Sequence, residues 1–342
     1  MSDFGNYYGS FQVAKEWDEK GDLLRAAIEY FMCMQYYHHG EFPMAPDYSL
    51  LKEAKEKYHW YKNGFDNAQL SKSTYIKGCQ CLKALWLHKN KYNERYVSKE
   101  LQEKFNRGHN IGALAQKLFP NGEDASWMEG KDEALKKLQK RSPINVPKLS
   151  FTLRQALWLK RTEELVAKNE PCIFEAAFVC KCVFAAVDIL DMNGGHPIAY
   201  EVKSTSELKD VYIKDCALQY MVINHYVLLD DMVLIYIDGD YLESLGKPMS
   251  ELTEENCDIH KLFKMQSILE EVKAMQPMVE ANIERLLPMT WETEEPKVAM
   301  GEQCTKPYEC EFKLYCNRCA KMEKTSFFKR LLTRVRDKII RK

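Results

Sequence analysis

The stretch FEAAFVCKCVFAAVDILDMNGGHPIAYEVKST, Phe174–Thr205, decides how this chain is read. The apolar run VFAAVDIL carries Asp188 near its end, and a second apolar run, IAYEVK, closes on Glu201 and Lys203. Between them DMNGG supplies turn chemistry with Gly194 and Gly195, so the spacing predicts a β-hairpin. Side chains two apart on a strand share a face, which points Glu201 and Lys203 the same way. Two carboxylates and a lysine on one sheet face are the equipment of a divalent-cation phosphodiester hydrolase. The carboxylates hold Mg²⁺ or Mn²⁺, which activates water and shields the phosphate, and the lysine steadies the attacking hydroxide or the phosphoryl oxygens. The same acid–hydrophobe–lysine triplet is common on solvated strand edges, so context has to decide.

Outward from the hairpin, the pattern predicts a helix over 152–168, a strand over 171–180, a helix over 207–227 and a strand over 232–238. The expected fold is α/β with a mixed sheet. This αβββαβ order, with the acids on its second and third strands, resembles the restriction-endonuclease-like core of the PD-(D/E)xK nuclease superfamily. The resemblance implies auxiliary roles for Glu175 on the first strand and Gln219 in the following helix.

At 342 residues and 40.0 kDa, with 46% hydrophobic residues, the chain is long enough for one large core or two smaller ones. It has no apolar run of the ~18 residues that a membrane span needs. Its opening, MSDFGNYYGSF, lacks the basic and apolar regions of a signal peptide, so a cytoplasmic protein is expected. Twelve cysteines in that setting point to metal ligation for some of them rather than disulfides. Net charge is only −1, yet residues 321–342 hold nine Lys/Arg against two acids. That tail, with Phe328, Leu331, Leu332, Val335 and Ile339 on one face, reads as a basic amphipathic helix for DNA or a protein partner, with membrane the lesser option.

Residues 1–66 read as a helical appendage, loosely resembling a single tetratricopeptide hairpin that must pack on the core or on a protein partner. Residues 67–320 read as the nuclease domain. Its opening, LSKSTYIKGCQCLKALWLHKN, places Lys77, Lys83, Lys89 and Lys91 beside Tyr75 and Trp86. The set could contact a nucleic-acid backbone and stack bases, but composition alone favours a helix with an apolar stripe and solvated lysines. Phe105–Gly122 reads as a helix that ends at Pro120 and Gly122, the charged segment Glu123–Pro147 as a mobile linker or partly helical flap, and Asp258–Leu287 as one long helix kinked or broken at Pro277. At the C-terminal end comes CTKPYECEFKLYCNRC, with Cys304, Cys310, Cys316 and Cys319 in sixteen residues. Four local thiolates suit tetrahedral Zn²⁺, and an iron–sulfur cubane wants the same number.

Ser73, Tyr75, Gln80, Cys81, Lys83, Leu85 and Trp86, together with the Cys-x5-Cys-x5-Cys spacing, resemble the CRISPR-associated RecB-like exonucleases and related stand-alone iron–sulfur nucleases. The resemblance covers about residues 70–319. It implies a [4Fe–4S] cluster on Cys81, Cys304, Cys310 and Cys316 that staples together chain ends otherwise weakly held. Cys79 and Cys319 are the spares, and Cys33, Cys172, Cys180, Cys182, Cys216 and Cys257 are small hydrophobes. Many relatives carry a metal-binding histidine where this chain has Gly112, and His109 lies nearly one turn earlier. The expected function is a Mg²⁺- or Mn²⁺-dependent deoxyribonuclease, exonucleolytic on ends or single strands, with Asp188 and Glu201 holding the metal. The competing expectation is a catalytically silent nucleic-acid-binding adaptor on the same fold.

Overall fold

In the computed structural model, residues 7–19, 26, 29–30, 33–34, 49–50, 52–57, 70–126 and 151–322 are described. The tail from Glu323 onward, most of the Lys-rich stretch before the core and part of the N-terminal region lie outside them.

Near-continuous apolar runs build the centre. CIFEAAFVC forms β3 (Cys172–Cys180) and VFAAVDILD forms β4 (Val183–Asp191), antiparallel in one register from Cys172–Asp191 to Cys180–Val183. Runs without polar alternation belong to strands covered on both faces. Here β5 (Ile198–Lys203) pairs antiparallel with the end of β4, and β6 (Asp231–Ile237) pairs parallel with β5. The hairpin turn contains Gly194 and Gly195 at φ 69° and 76°, a region that disfavours side chains. Helix α5 (Phe151–Ala167) precedes β3, and α6 (Asp210–Ile223) joins β5 to β6, so the order αβββαβ is present. Short strands β1 (Leu70–Ser71), β2 (Glu123–Asp124) and β7 (Phe263–Ser267) complete a mixed, open seven-stranded sheet. The order is β2-β3-β4-β5-β6-β7, with β1 attached to β4.

One face of the sheet is covered by α6, α9 (Leu269–Ala274) and α10 (Gln276–Leu286), through Leu218, Val222, Val272, Ile283 and Leu286. The other is covered by α4 (Lys99–Gln116) and α7 (Gly239–Leu245), where Ile111 and Leu114 meet Phe174, Ile189 and Ile235. Ahead of α4, α2 (Lys72–Gln80) and α3 (Leu82–Asn90) follow β1 directly. Among the described residues no helix is long and apolar enough to cross a membrane. In the N-terminal region, α1 (Tyr7–Glu19) meets later segments through a Phe11–Tyr30 edge contact at 5.7 Å and a Lys57–Asp18 ion pair at 2.9 Å.

Two expectations need correction. Asp258–Leu287 is not one long helix: Ile259–Leu262 is a single helical turn (α8), followed by β7, α9 and α10. The exposed edge of β6 supplies ladder partners from Val233 to Ile237, and pairing with them outweighs the weak helical pattern of FKMQS. Helices α9 and α10 part at Met275, with Pro277 in the opening turn of α10, where a missing N–H costs nothing. Glu123–Asp124, expected in a linker, pairs parallel with Ile173–Phe174 as β2.

Candidate active site

A fault in the sheet creates the site. In β3, Ile173, Ala176, Phe178 and Cys180 join the larger core cluster, so the every-second-residue alternation slips by one between 173 and 176. In β4, Val183, Ala185 and Val187 belong to that cluster, yet the next member is Leu190, while Ile189 packs on the opposite face. The slips coincide. Glu175 and Asp188 stand opposite each other between the paired positions Phe174–Ile189 and Ala176–Val187. Glu175 has φ 55°, a strained left-handed backbone for a non-glycine residue, at a cost of roughly 1–3 kcal/mol. Helix α5 supports the irregularity: the Trp158 indole N–H donates to the Glu175 carbonyl, and the Thr162 hydroxyl accepts from the Ala177 N–H at 3.0 Å.

The free edge of β4 widens the fault. Strand β1 takes that edge at Val183–Phe184 and β5 takes it at Ile189–Asp191, leaving an interval between them. Protein side chains fill it. The Gln219 amide donates to the Ala186 carbonyl at 2.7 Å, and Asp188 Oδ2 accepts the Val202 N–H at 2.6 Å. Into this opening come Asp188 from β4, Glu175 from β3, Glu201 and Lys203 from β5 and Gln219 from α6, the side chains singled out in the sequence.

Glu201 is the hub. Its Oε1 accepts from Lys203 Nζ and Lys72 Nζ, each at 2.7 Å, and its Oε2 accepts from Gln219 Nε2 at 2.6 Å. Its side chain is only 4% exposed. Burial alone would raise its pKa, but the two ammonium groups outweigh it and hold the carboxyl down at about 2. Asp188 and Glu175 behave oppositely. Burial, then the Glu201 charge, pushes Asp188 up to about 6. Burial, then the charges of Asp188 and Glu201, pushes Glu175 up to about 8. Lys203 is raised well above the ordinary lysine range, its burial outweighed by Glu201 and Asp215. Its ammonium lies 3.5 Å from Asp215 and over the Tyr212 ring at 5.3 Å.

Lys72 and Asp215 were missed by sequence reasoning. Asp215 is buried on α6 four residues before Gln219, so both share the helix face turned to β5, and an acid within the apolar run DCALQYMVI was the available signal. Lys72 opens α2 immediately after Ser71, whose hydroxyl accepts from the Thr74 N–H at 3.3 Å. A cation in the first turn of a helix opposes the helix dipole, which was a faint clue that its partner lay elsewhere. His109 is exposed on α4 and takes no part in this group, and a Cβ on Gly112 would meet nothing within 4 Å.

The donor set suits a cation. Burial, and after it the neighbouring carboxylates, raises two of the carboxyls, and the buried Gln219 Oε1 has no hydrogen-bond partner. Lys72 and Lys203 offset the charge of Glu201. Among the described residues no group of three or more His, Cys, Asp or Glu is arranged to hold a bare metal ion.

A second chemical centre lies where the N-terminal helices meet the C-terminal end of the described chain. Cys81 stands in extended conformation between α2 and α3, at φ −160° and ψ 119°. With Cys304, Cys310 and Cys316 it lines an open pocket of about 20 Å³, walled also by Ala84, Leu87 and Phe312, with Lys83 and Lys313 on its lining. Cys79 and Cys319 are not among the lining residues, and Cys79 is exposed. Burial raises the Cys310 thiol, and it raises the Cys316 thiol to about 11. Four thiols on one lining, with lysines that would offset thiolate charge, match in number the donors of either a tetrahedral zinc site or an iron–sulfur cubane. Of the other cysteines, Cys33, Cys172, Cys180, Cys216 and Cys257 are buried, whereas Cys182 is only partly so, in a turn at φ 62°.

The chain ends here are not weakly held, contrary to expectation. Lys77 and Arg95 pair with Glu311 at 2.5 and 2.9 Å, and Lys83 and Lys91 pair with Glu295 at 2.8 and 3.0 Å. The Gln80 amide donates to the carbonyls of Gln303 and Tyr308, each at 2.7 Å. Lys77, Lys83 and Lys91 are therefore not simply solvated. They carry structural ion pairs.

No protein-family model matches the chain, and comparison with curated proteins found no significant match.

Proposed function

We propose that this chain is a metal-dependent DNA nuclease, an exonuclease acting on ends or single strands, built on a restriction-endonuclease-like core and carrying a structural [4Fe–4S] cluster. The observation that carries the reading is the meeting of Asp188, Glu201, Lys203, Glu175 and Gln219 at one fault in the sheet, in the αβββαβ order. Asp188 and Glu201 would hold Mg²⁺ or Mn²⁺, with Glu175 beside them. When bound, the cation supplies a Lewis acid for the phosphate and lowers the pKa of its water. The chain's own groups do the rest. Lys203, held protonated by Glu201 and Asp215, presents a fixed positive charge where a phosphoryl oxygen or hydroxide needs it. Gln219 locks the orientation of the Glu201 carboxylate while satisfying the unpaired Ala186 carbonyl. Cys81, Cys304, Cys310 and Cys316 would ligate the cluster, adding to the ion pairs that join the two ends of the domain.

The test is DNA degradation with Mg²⁺ or Mn²⁺ by the whole protein and by Asp188→Ala, Glu201→Ala and Lys203→Ala. Each substitution is expected to cost at least several kcal/mol in the barrier, and Ca²⁺ should not support cleavage. Wild-type rates from Asp188→Ala would end the proposal. A second reading, a silent DNA-binding adaptor, is favoured by the occupation of both Glu201 oxygens and by glycine at position 112. It predicts DNA binding with no cleavage in any divalent cation.

A further inference from the structure

Two ammonium groups share Glu201 Oε1, and they are not equivalent. Lys203 is anchored three ways: by Glu201, by Asp215 at 3.5 Å and by the Tyr212 ring at 5.3 Å. Its side chain is 15% exposed. Lys72 has only one carboxylate partner among the described residues, Glu201, and its side chain is 28% exposed. It reaches the site from the first position of a helix, and of the two lysine side chains it is the more exposed. No helix-stabilising purpose accounts for it there, since a cation at a helix N-terminus is disfavoured by roughly 0.3–1 kcal/mol. What does account for it is the charge on the sheet below. With Glu175 and Asp188 crowding Glu201, three carboxyls meet in a half-buried space, and Lys72 is the least constrained positive charge among them.

From this geometry we infer that Lys72 is the resident counter-ion of the site, and that a divalent cation binding to Asp188 and Glu201 must displace it from Glu201. This rests on the metal-site reading above and extends it to a positioning residue. Displacement sends the Lys72 ammonium from Glu201 towards the open side of the site, where an incoming phosphate would meet it. The lysine lowers the affinity for the cation alone and keeps the metal-free carboxyls from repelling one another. Lys203, tied to Asp215, stays in place throughout.

The experiment uses Mn²⁺ alone, without DNA, on the whole protein with its cysteine pocket loaded as purified. Calorimetric titration should show binding that Glu201→Gln abolishes. Lys72→Met, or Lys72→Gln if the first folds poorly, should bind Mn²⁺ at least tenfold more tightly. Lys214→Met, which removes an exposed lysine of α6, should change affinity less than twofold. In parallel, amine acetylation read by mass spectrometry should show Lys72 becoming several-fold more reactive as Mn²⁺ is added, while Lys203 stays protected. If Mn²⁺ binds in a Glu201-dependent way but Lys72→Met leaves affinity unchanged and Lys72 reactivity does not rise, the displacement idea is overturned and the metal site stands. If no binding depends on Glu201 in any variant, the metal site itself falls and the inference with it.

Discussion

Asp188→Asn should make the metal-free protein more stable while removing its activity, and the gain should grow with pH. The carboxyl of Asp188 is half-buried beside Glu201 and opposite Glu175, and its pKa rises from 3.8 to about 6 on folding. A raised carboxyl pKa means that the folded state binds the proton more tightly than the unfolded state. Stability is therefore lost as pH climbs from the unfolded value through the folded one. At about 1.4 kcal/mol per unit, the ionised Asp188 costs roughly 1.5 kcal/mol at pH 5 and about 3 kcal/mol at pH 8. Asparagine never ionises, and its carbonyl oxygen is still able to accept the Val202 N–H that Asp188 Oδ2 accepts at 2.6 Å. The substitution should thus return up to that amount, less whatever relaxation of the neighbouring carboxyls has already relieved. Denaturant midpoints of both proteins in chelator at pH 5 and pH 8 provide the measurement. A variant that is no more stable than the parent at pH 8, with no change in the difference between the two pH values, would refute the idea that Asp188 is held against its neighbours. Adding Mn²⁺ should reverse the ranking, because only the parent has the full ligand pair.

Other outcomes follow from the pocket and its surroundings. Anaerobically purified protein should absorb in the visible and contain about four irons per chain. Changing Cys81, Cys304, Cys310 or Cys316 to Ala should bleach it, whereas Cys79→Ala and Cys257→Ala should leave it coloured; stoichiometric zinc without iron would reject the cluster. Glu311→Ala leaves Lys77 and Arg95 half-buried without their carboxylate, and should cost about 3 kcal/mol. Limited proteolysis should then release the segment after Leu286 first, and a cleavage pattern identical to the parent's would show that Glu311 does not hold that segment.

How far the sequence discloses this molecule depends on whether partners lie on one element or on several. The pairing of Glu201 with Lys203 is a matter of period two on one strand, and the αβββαβ order follows from apolar runs bounded by turns. The strand β7 was hidden because the residues 262–268 fit a helix by themselves, and only the unpaired edge of β6 makes them a strand. Lys72 escaped for the same kind of reason: its partner is Glu201, 129 positions later, and nothing local to LSKST announces a carboxylate. Likewise Lys77 looks like a solvated or DNA-facing lysine until Glu311, 234 positions on, folds against it. Asp215 differs from these, since its spacing from Gln219 was visible and a buried acid in an apolar helix requires a cation nearby. The missed Lys72 and the lysines whose ion pairs were not foreseen therefore share one cause. A positive charge advertises the need for a counter-charge without giving its address, and in this fold that address is set by which strand lies beside which. Once β1 is seen to dock on the free edge of β4, the start of α2 has to fall next to β5, and a lysine there must meet Glu201.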